Sequence, residues 1–74
     1  MPVDLSGPIK SQFEEARKAY EKALEGKNSS LASEQAARCA RLLKLLADNI
    51  PQERKFYLEK AKKWEEAARI LKEK

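Results

Sequence analysis

Residues 31–50 read LASEQAARCARLLKLLADNI, and this stretch decides the fold. Ala32, Ala36, Cys39, Leu43, Leu46 and Ile50 recur at alternating steps of four and three. On a helix that spacing makes one apolar stripe. Ser30 stands where an N-cap belongs, and Ile50-Pro51 stands where the chain must leave the helix, so a helix is expected over 31–49. One amphipathic helix cannot bury its own stripe, so the flanking sequence has to supply partners.

It does so on both sides. Upstream, Ile9, Phe13, Ala16, Tyr20 and Ala23 repeat the same steps, with Ala19 and Leu24 widening the stripe. Glu14, Lys18, Glu21, Lys22 and Glu25 face away from it, and Gly26 is expected to end this helix, over 9–25, in the left-handed conformation that glycine tolerates best. Downstream, Tyr57, Ala61, Trp64, Ala68 and Leu71 form a third stripe, and Pro51 suits the first turn of a helix over 51–73. Trp64 reads as the largest core anchor of that stripe, with a binding role as the alternative. Glu59–Lys63 and Glu65–Arg69 carry the acid-first order that favours surface ion pairs. Gly7-Pro8 closes a leader, residues 1–8, expected to be flexible. Three amphipathic helices with connections this short pack as an all-α, up-down-up three-helix bundle.

Composition narrows the function. Seventy-four residues hold one small domain, with 42% hydrophobic and 38% charged residues. One cysteine excludes a disulfide framework and a cysteine-rich zinc site, and the lack of histidine removes the commonest metal ligand and general base. Cys39 lies mid-stripe and reads as a small buried hydrophobe, since no histidine can activate it. Glu14-Glu15, Glu65-Glu66 and the Glu53/Glu59 pair turn towards water, where carboxylates keep ordinary pKa values and cannot divide acid and base roles. Two widely separated glycines make no phosphate loop. No enzyme and no cofactor are expected. The first residues lack the basic and apolar regions of a signal peptide, and no apolar run approaches a membrane span, so a cytoplasmic setting is expected.

The net charge is +4. It is unevenly spread: four bases against five acids over 1–26, four against two over 27–50, and eight against five over 51–74. Acids are interleaved throughout, which reads as a salt-laced solvated face rather than as the dense basic patch of a nucleic-acid binder. No specific nucleic acid, at most peripheral membrane association, and a monomer are therefore expected.

What remains is a binding module. Placing residues at about 100° each around the helices puts Ala37, Ala40 and Lys44 along one wall of an outer groove and Leu58 and Lys62 along the other. The alanines read either as the floor of a trough for an amphipathic helix or as good helix formers and nothing more. On the other side of the third helix lie Phe56 and Ile70, with Lys63 and Ala67.

The segment Tyr57-Leu58-Glu59-Lys60-Ala61-Lys62-Lys63-Trp64 resembles the Tyr-Leu-x-Arg/Lys-Ala-x-x-Leu signature in the last helix of MIT (microtubule-interacting and trafficking) domains. Ala16-Arg17-Lys18-Ala19-Tyr20 with Ala23, the turn Gly26-Lys27-Asn28, and Glu34-Gln35-Ala36-Ala37-Arg38-Cys39-Ala40 are similar to the family's first two helices, although Cys39 stands where a tyrosine is usual. The resemblance covers residues 9–74. It implies a non-catalytic domain that binds short C-terminal tail motifs of ESCRT-III-type proteins and recruits its parent, an AAA ATPase or a trafficking or cell-division factor, of which this chain is an N-terminal part. It implies a helical ligand in the groove of Ala37, Ala40, Lys44, Leu58 and Lys62, and an extended proline-containing ligand in the groove of Arg17, Phe56, Lys63, Ala67 and Ile70. Lys62 departs from the pattern, because vacuolar-sorting members place a glutamate there. The competing readings are a helical-repeat-like interaction bundle, a basic nucleic-acid-binding bundle, and a designed or purely structural bundle.

Overall fold

The computed structural model describes residues 6–73. Three α-helices follow one another: α1 (Ser6–Glu25), α2 (Ser29–Asn49) and, after a single 3-10 turn at Pro51–Glu53, α3 (Arg54–Glu73). The expected all-α three-helix bundle is what forms. Its Cα envelope measures 44 × 20 × 12 Å, so the helices lie nearly side by side. α2 is the middle helix and packs against both neighbours, whereas among the described residues no Cα of α1 lies within 8 Å of a Cα of α3.

The helix ends correct several local expectations. α1 begins at Ser6 rather than near Ile9, because Pro8 fits a first turn, where a missing N–H costs nothing. Residues 1–5 of the expected leader lie outside the described residues. Gly26 does not take the left-handed conformation; Lys27 does, at φ 56°. The Asn28 N–H donates to the Ala23 carbonyl at 2.8 Å and the Lys27 N–H to the Leu24 carbonyl at 3.0 Å. This pattern closes a helix with its left-handed residue one place after Gly26. The cap of α2 is Asn28, not Ser30: its side-chain oxygen accepts from the Leu31 N–H at 3.1 Å. Asn28 thus ends one helix through its backbone and starts the next through its side chain. At the far end the Ile50 N–H still reaches the Leu46 carbonyl, and Pro51 then holds Ile50 outside the helical region at φ −126°, ψ 80°.

The expected stripes supply eight of the eleven buried core residues, and Ala40, Leu42 and Ala47 join them from beyond the edges of the α2 stripe. Ala16, Ala23, Ala32, Ala36, Cys39, Leu43, Leu46 and Ala61 are all buried, and Ile9, Phe13, Tyr20, Ile50, Tyr57, Trp64, Ala68 and Leu71 are half-buried. Leu24 is the exception at 42% exposed, since it lies beyond the edge of the α1 stripe. Seven of the eleven core residues are alanine, which lets α2 approach both neighbours closely. Trp64 joins what the backbones leave apart. Its ring meets Phe13 and Tyr20 of α1 edge-to-face, at centroid separations of 6.0 and 5.0 Å. It also packs on both clusters of buried residues, one around Leu43 and Leu46 and one around Ala16 and Cys39.

Two stability outcomes follow from this packing. Trp64→Ala should cost about 3 kcal/mol, within the range for truncating a large aromatic, and this is checked by chemical denaturation followed by circular dichroism. Lys27→Gly should raise stability by about 0.5–1 kcal/mol in the same assay, because glycine adopts the left-handed conformation without a Cβ penalty.

Candidate functional site

Three shallow concavities follow one another along α3, and only the last of them reaches α2. The first is lined by Pro51, Gln52, Arg54, Lys55, Leu58, Glu59 and Lys62. The second is formed by Lys62, Glu65, Glu66 and Arg69. The third runs from Arg69 and Lys72 past Ala68 to Ser33 and Ala37 at the start of α2. Lys62 and Arg69 each belong to two of them, so the three form one continuous track.

Two contacts fix its walls. Lys44 on α2 forms an ion pair with Glu65 on α3 across the track. Nearer its end the Ser33 hydroxyl donates to the Ala68 carbonyl at 2.8 Å. Both tie α2 to α3, while buried Ala40 and Ala61 pack together with Leu43 and Leu46.

The residues expected in this groove divide accordingly. Leu58, half-buried, and Lys62, exposed, share one concavity. Lys44 lies across the middle, engaged by Glu65. Ala37, half-buried, lines the far concavity beside Arg69. Ala40 is no part of the wall: at 2% exposed it packs with Leu43, Leu46 and Ala61, because α2 buries both flanks of its stripe rather than one. Glu65 was expected to pair along its own helix with Arg69, and it reaches Lys44 instead; Glu59 and Lys63 form no ion pair among the described residues. Glu65 and Arg69 continue the steps of Leu58 and Lys62 down α3 into the track, and Ser33 is the residue that only the packing of α2 on α3 brings there.

On the opposite side, α1 and α3 meet through the rings of Phe13, Tyr20 and Trp64. Phe56 is 52% and Ile70 50% exposed, Lys63 is exposed and Ala67 half-buried. Lys60 places its ammonium 4.7 Å from the centre of the Phe56 ring. Arg17 is held on its own helix by Glu14 at 2.8 Å and Glu21 at 3.3 Å. The hydrogen bond from Arg17 and its charge hold the Glu14 carboxyl below the usual carboxylate range and raise the Arg17 guanidinium in turn. Arg17 is therefore already neutralised, and that groove is less basic than its sequence implies.

The chain matches no known family model, no curated protein and no solved structure. Among the described residues no three His, Cys, Asp or Glu side chains gather as metal ligands, and no helix is long and apolar enough to cross a membrane. The carboxylates weighed as acid–base pairs, Glu14, Glu15, Glu53, Glu59, Glu65 and Glu66, are all exposed.

Cys39 is fully buried, and burial pushes its thiol from the ordinary 9.0 up to about 11 against a smaller opposing pull from Arg38 and Arg17. A thiol so placed stays protonated and inert at neutral pH. The unfolded chain releases this proton near pH 9 while the folded chain keeps it to about 11, so stability is full below pH 9 and falls as pH rises through that window. The loss should be of order 1–2 kcal/mol after allowance for screening. Denaturation midpoints of wild type and Cys39→Ala at pH 8 and pH 11 check this: wild type should lose more than the variant, since lysine and tyrosine titration is common to both.

Proposed function

We propose that the chain is a non-catalytic protein-interaction domain of the MIT type. It binds short C-terminal tail segments of ESCRT-III-type proteins and so recruits the protein that carries it. The observation that supports this reading is the track along α3, where half-buried Leu58 offers an apolar contact beside Lys62 in a shallow concavity.

A furrow between two antiparallel helices accepts a third helix laid lengthwise, because the ridges of the newcomer fit the groove the pair leaves. Leu58 supplies the apolar contact that loses water on docking. Lys62, one turn further on, supplies a charge that fixes register and polarity. No bond is made or broken, so the domain acts by holding its partner near the rest of the chain that carries it. Cytoplasmic residence, with membrane recruitment through the partner, belongs to the same reading.

Leu58→Asp should leave the helical spectrum unchanged and weaken binding of a helical ESCRT-III-type tail peptide by about 2 kcal/mol or more, roughly thirtyfold, because the carboxylate is stranded in a dehydrated contact. Titration followed by chemical-shift mapping, with a helical and a proline-containing tail peptide, checks it. Unchanged affinity, with shifts on Arg17, Phe56, Lys63 and Ile70, would transfer binding to the α1/α3 side. Tight duplex DNA binding at physiological salt without peptide binding would replace the reading altogether.

A further inference from the structure

Along the outer face of α3, Lys55, Leu58, Lys62, Glu65, Arg69 and Lys72 step by three and four for five intervals, the spacing of one continuous helix face. All but Leu58 are exposed. Glu65, the one acid of the six, is neutralised by Lys44 from α2. Lys55, Lys62, Arg69 and Lys72 make no ion pair among the described residues. This face of α3 therefore presents four cations outside any ion pair among the described residues, with exposed Arg54 beside Lys55 at its start, and Lys55, Lys62 and Arg69 lie seven residues apart, a rise of about 10.5 Å each on a helix.

We infer that the occupant of this face is an acidic helix whose carboxylates recur every seven residues, with an apolar side chain between the first two to meet Leu58. The inference rests on the docking reading above and names the partner's chemistry. A helix lying beside α3 returns the same face after seven residues, so acids at that period meet Lys55, Lys62 and Arg69 in turn.

The spacing also rejects other anions. Glu59 and Glu66 stand exposed on the flank of the same helix, lining the track beside Lys62. A polyanion charged at every step, or a surface of anionic headgroups, meets these acids as well as the bases, whereas discrete carboxylates at the heptad period pass between them. A second copy of the chain offers acids at this period on two helices, but Glu14 and Glu21 of α1 are already held by Arg17, and Glu59, Glu66 and Glu73 of α3 alternate with Lys62, Lys63 and Arg69 of the same helix, so neither presents an acidic face.

The test uses three synthetic stapled helices with a common leucine: one with glutamates every seven residues, one with arginines at those positions, and one with the glutamates every five. Binding to the 74-residue chain is measured by chemical-shift titration near physiological salt. The heptad glutamate helix should bind about tenfold more tightly than either of the others, with shifts on Leu58, Lys62 and Arg69. Lys62→Glu should reverse the preference at the middle position, and a helix with arginine there alone should restore binding. Equal binding of the two glutamate spacings, tighter binding of duplex DNA or of phosphatidylserine vesicles, or dimerisation by sedimentation would each overturn the inference. If Leu58→Asp abolishes binding but arginine helices are preferred, the docking face stands and acid selectivity falls. If the acidic helix binds and ESCRT-III-type tails do not, acid selectivity stands and the MIT-type reading falls.

Discussion

Everything in this structure depends on the middle helix having small residues on both of its flanks. Ala40 clusters with Ala61 of one neighbour, while Cys39 and Leu42 cluster with Ala16 of the other, and Ala36 and Ala47 are buried with them. Alanine gains little from burial by itself, since it hides few apolar atoms. What it contributes is proximity: with no bulky side chain at the crossing, the backbones come close and larger residues elsewhere can interlock. Leu43 and Leu46 are buried at that shared seam, and half-buried Ile9, Phe13 and Trp64 pack against it from the two outer helices.

The cost of a thin seam is that the outer helices do not touch through their backbones. Trp64 compensates. Its edge-to-face contacts with Phe13 and Tyr20 bridge the distance between α1 and α3, and so give the flat arrangement its third side. On the opposite face there is no comparable aromatic. The helices are held there by Lys44–Glu65 and Ser33–Ala68, polar links that leave the track along α3 open to water. The asymmetry between an aromatic side and a polar side is what distinguishes the two candidate grooves physically.

Much of this was legible in the residues. The stripes around Ala16, Leu43 and Trp64 follow from helical periodicity alone, because burial in a small helical domain is decided by position on the helix. Two things were not legible. Which helix lies in the middle depends on the relative placement of all three, and treating α2 as one-sided made Ala40 look like a groove wall when it is interior. Side-chain pairing depends on rotamers across a contact, so Glu65 was assigned to Arg69 on its own helix when Lys44 of the neighbour reaches it. The turn misled for a local reason: Gly26 is the obvious left-handed residue by type, yet the hydrogen bonds of Asn28 and Lys27 set that conformation one residue later.

The order of helices in space repeats their order in the chain, and this has a kinetic consequence. Among the described residues every backbone contact between helices joins neighbours in sequence, so no long loop has to close before native contacts form, and the topology is of the class that folds fastest. It also divides the molecule unequally. α1 meets α2 through the cluster of Ala16, Cys39 and Leu42 but meets α3 only through aromatic rings, whereas α2 and α3 share a backbone seam and two polar links. Local opening of the less tied part of a small domain costs less than global unfolding. The concavities along α3 draw no residue from α1, so their lining stands clear of any loosening there.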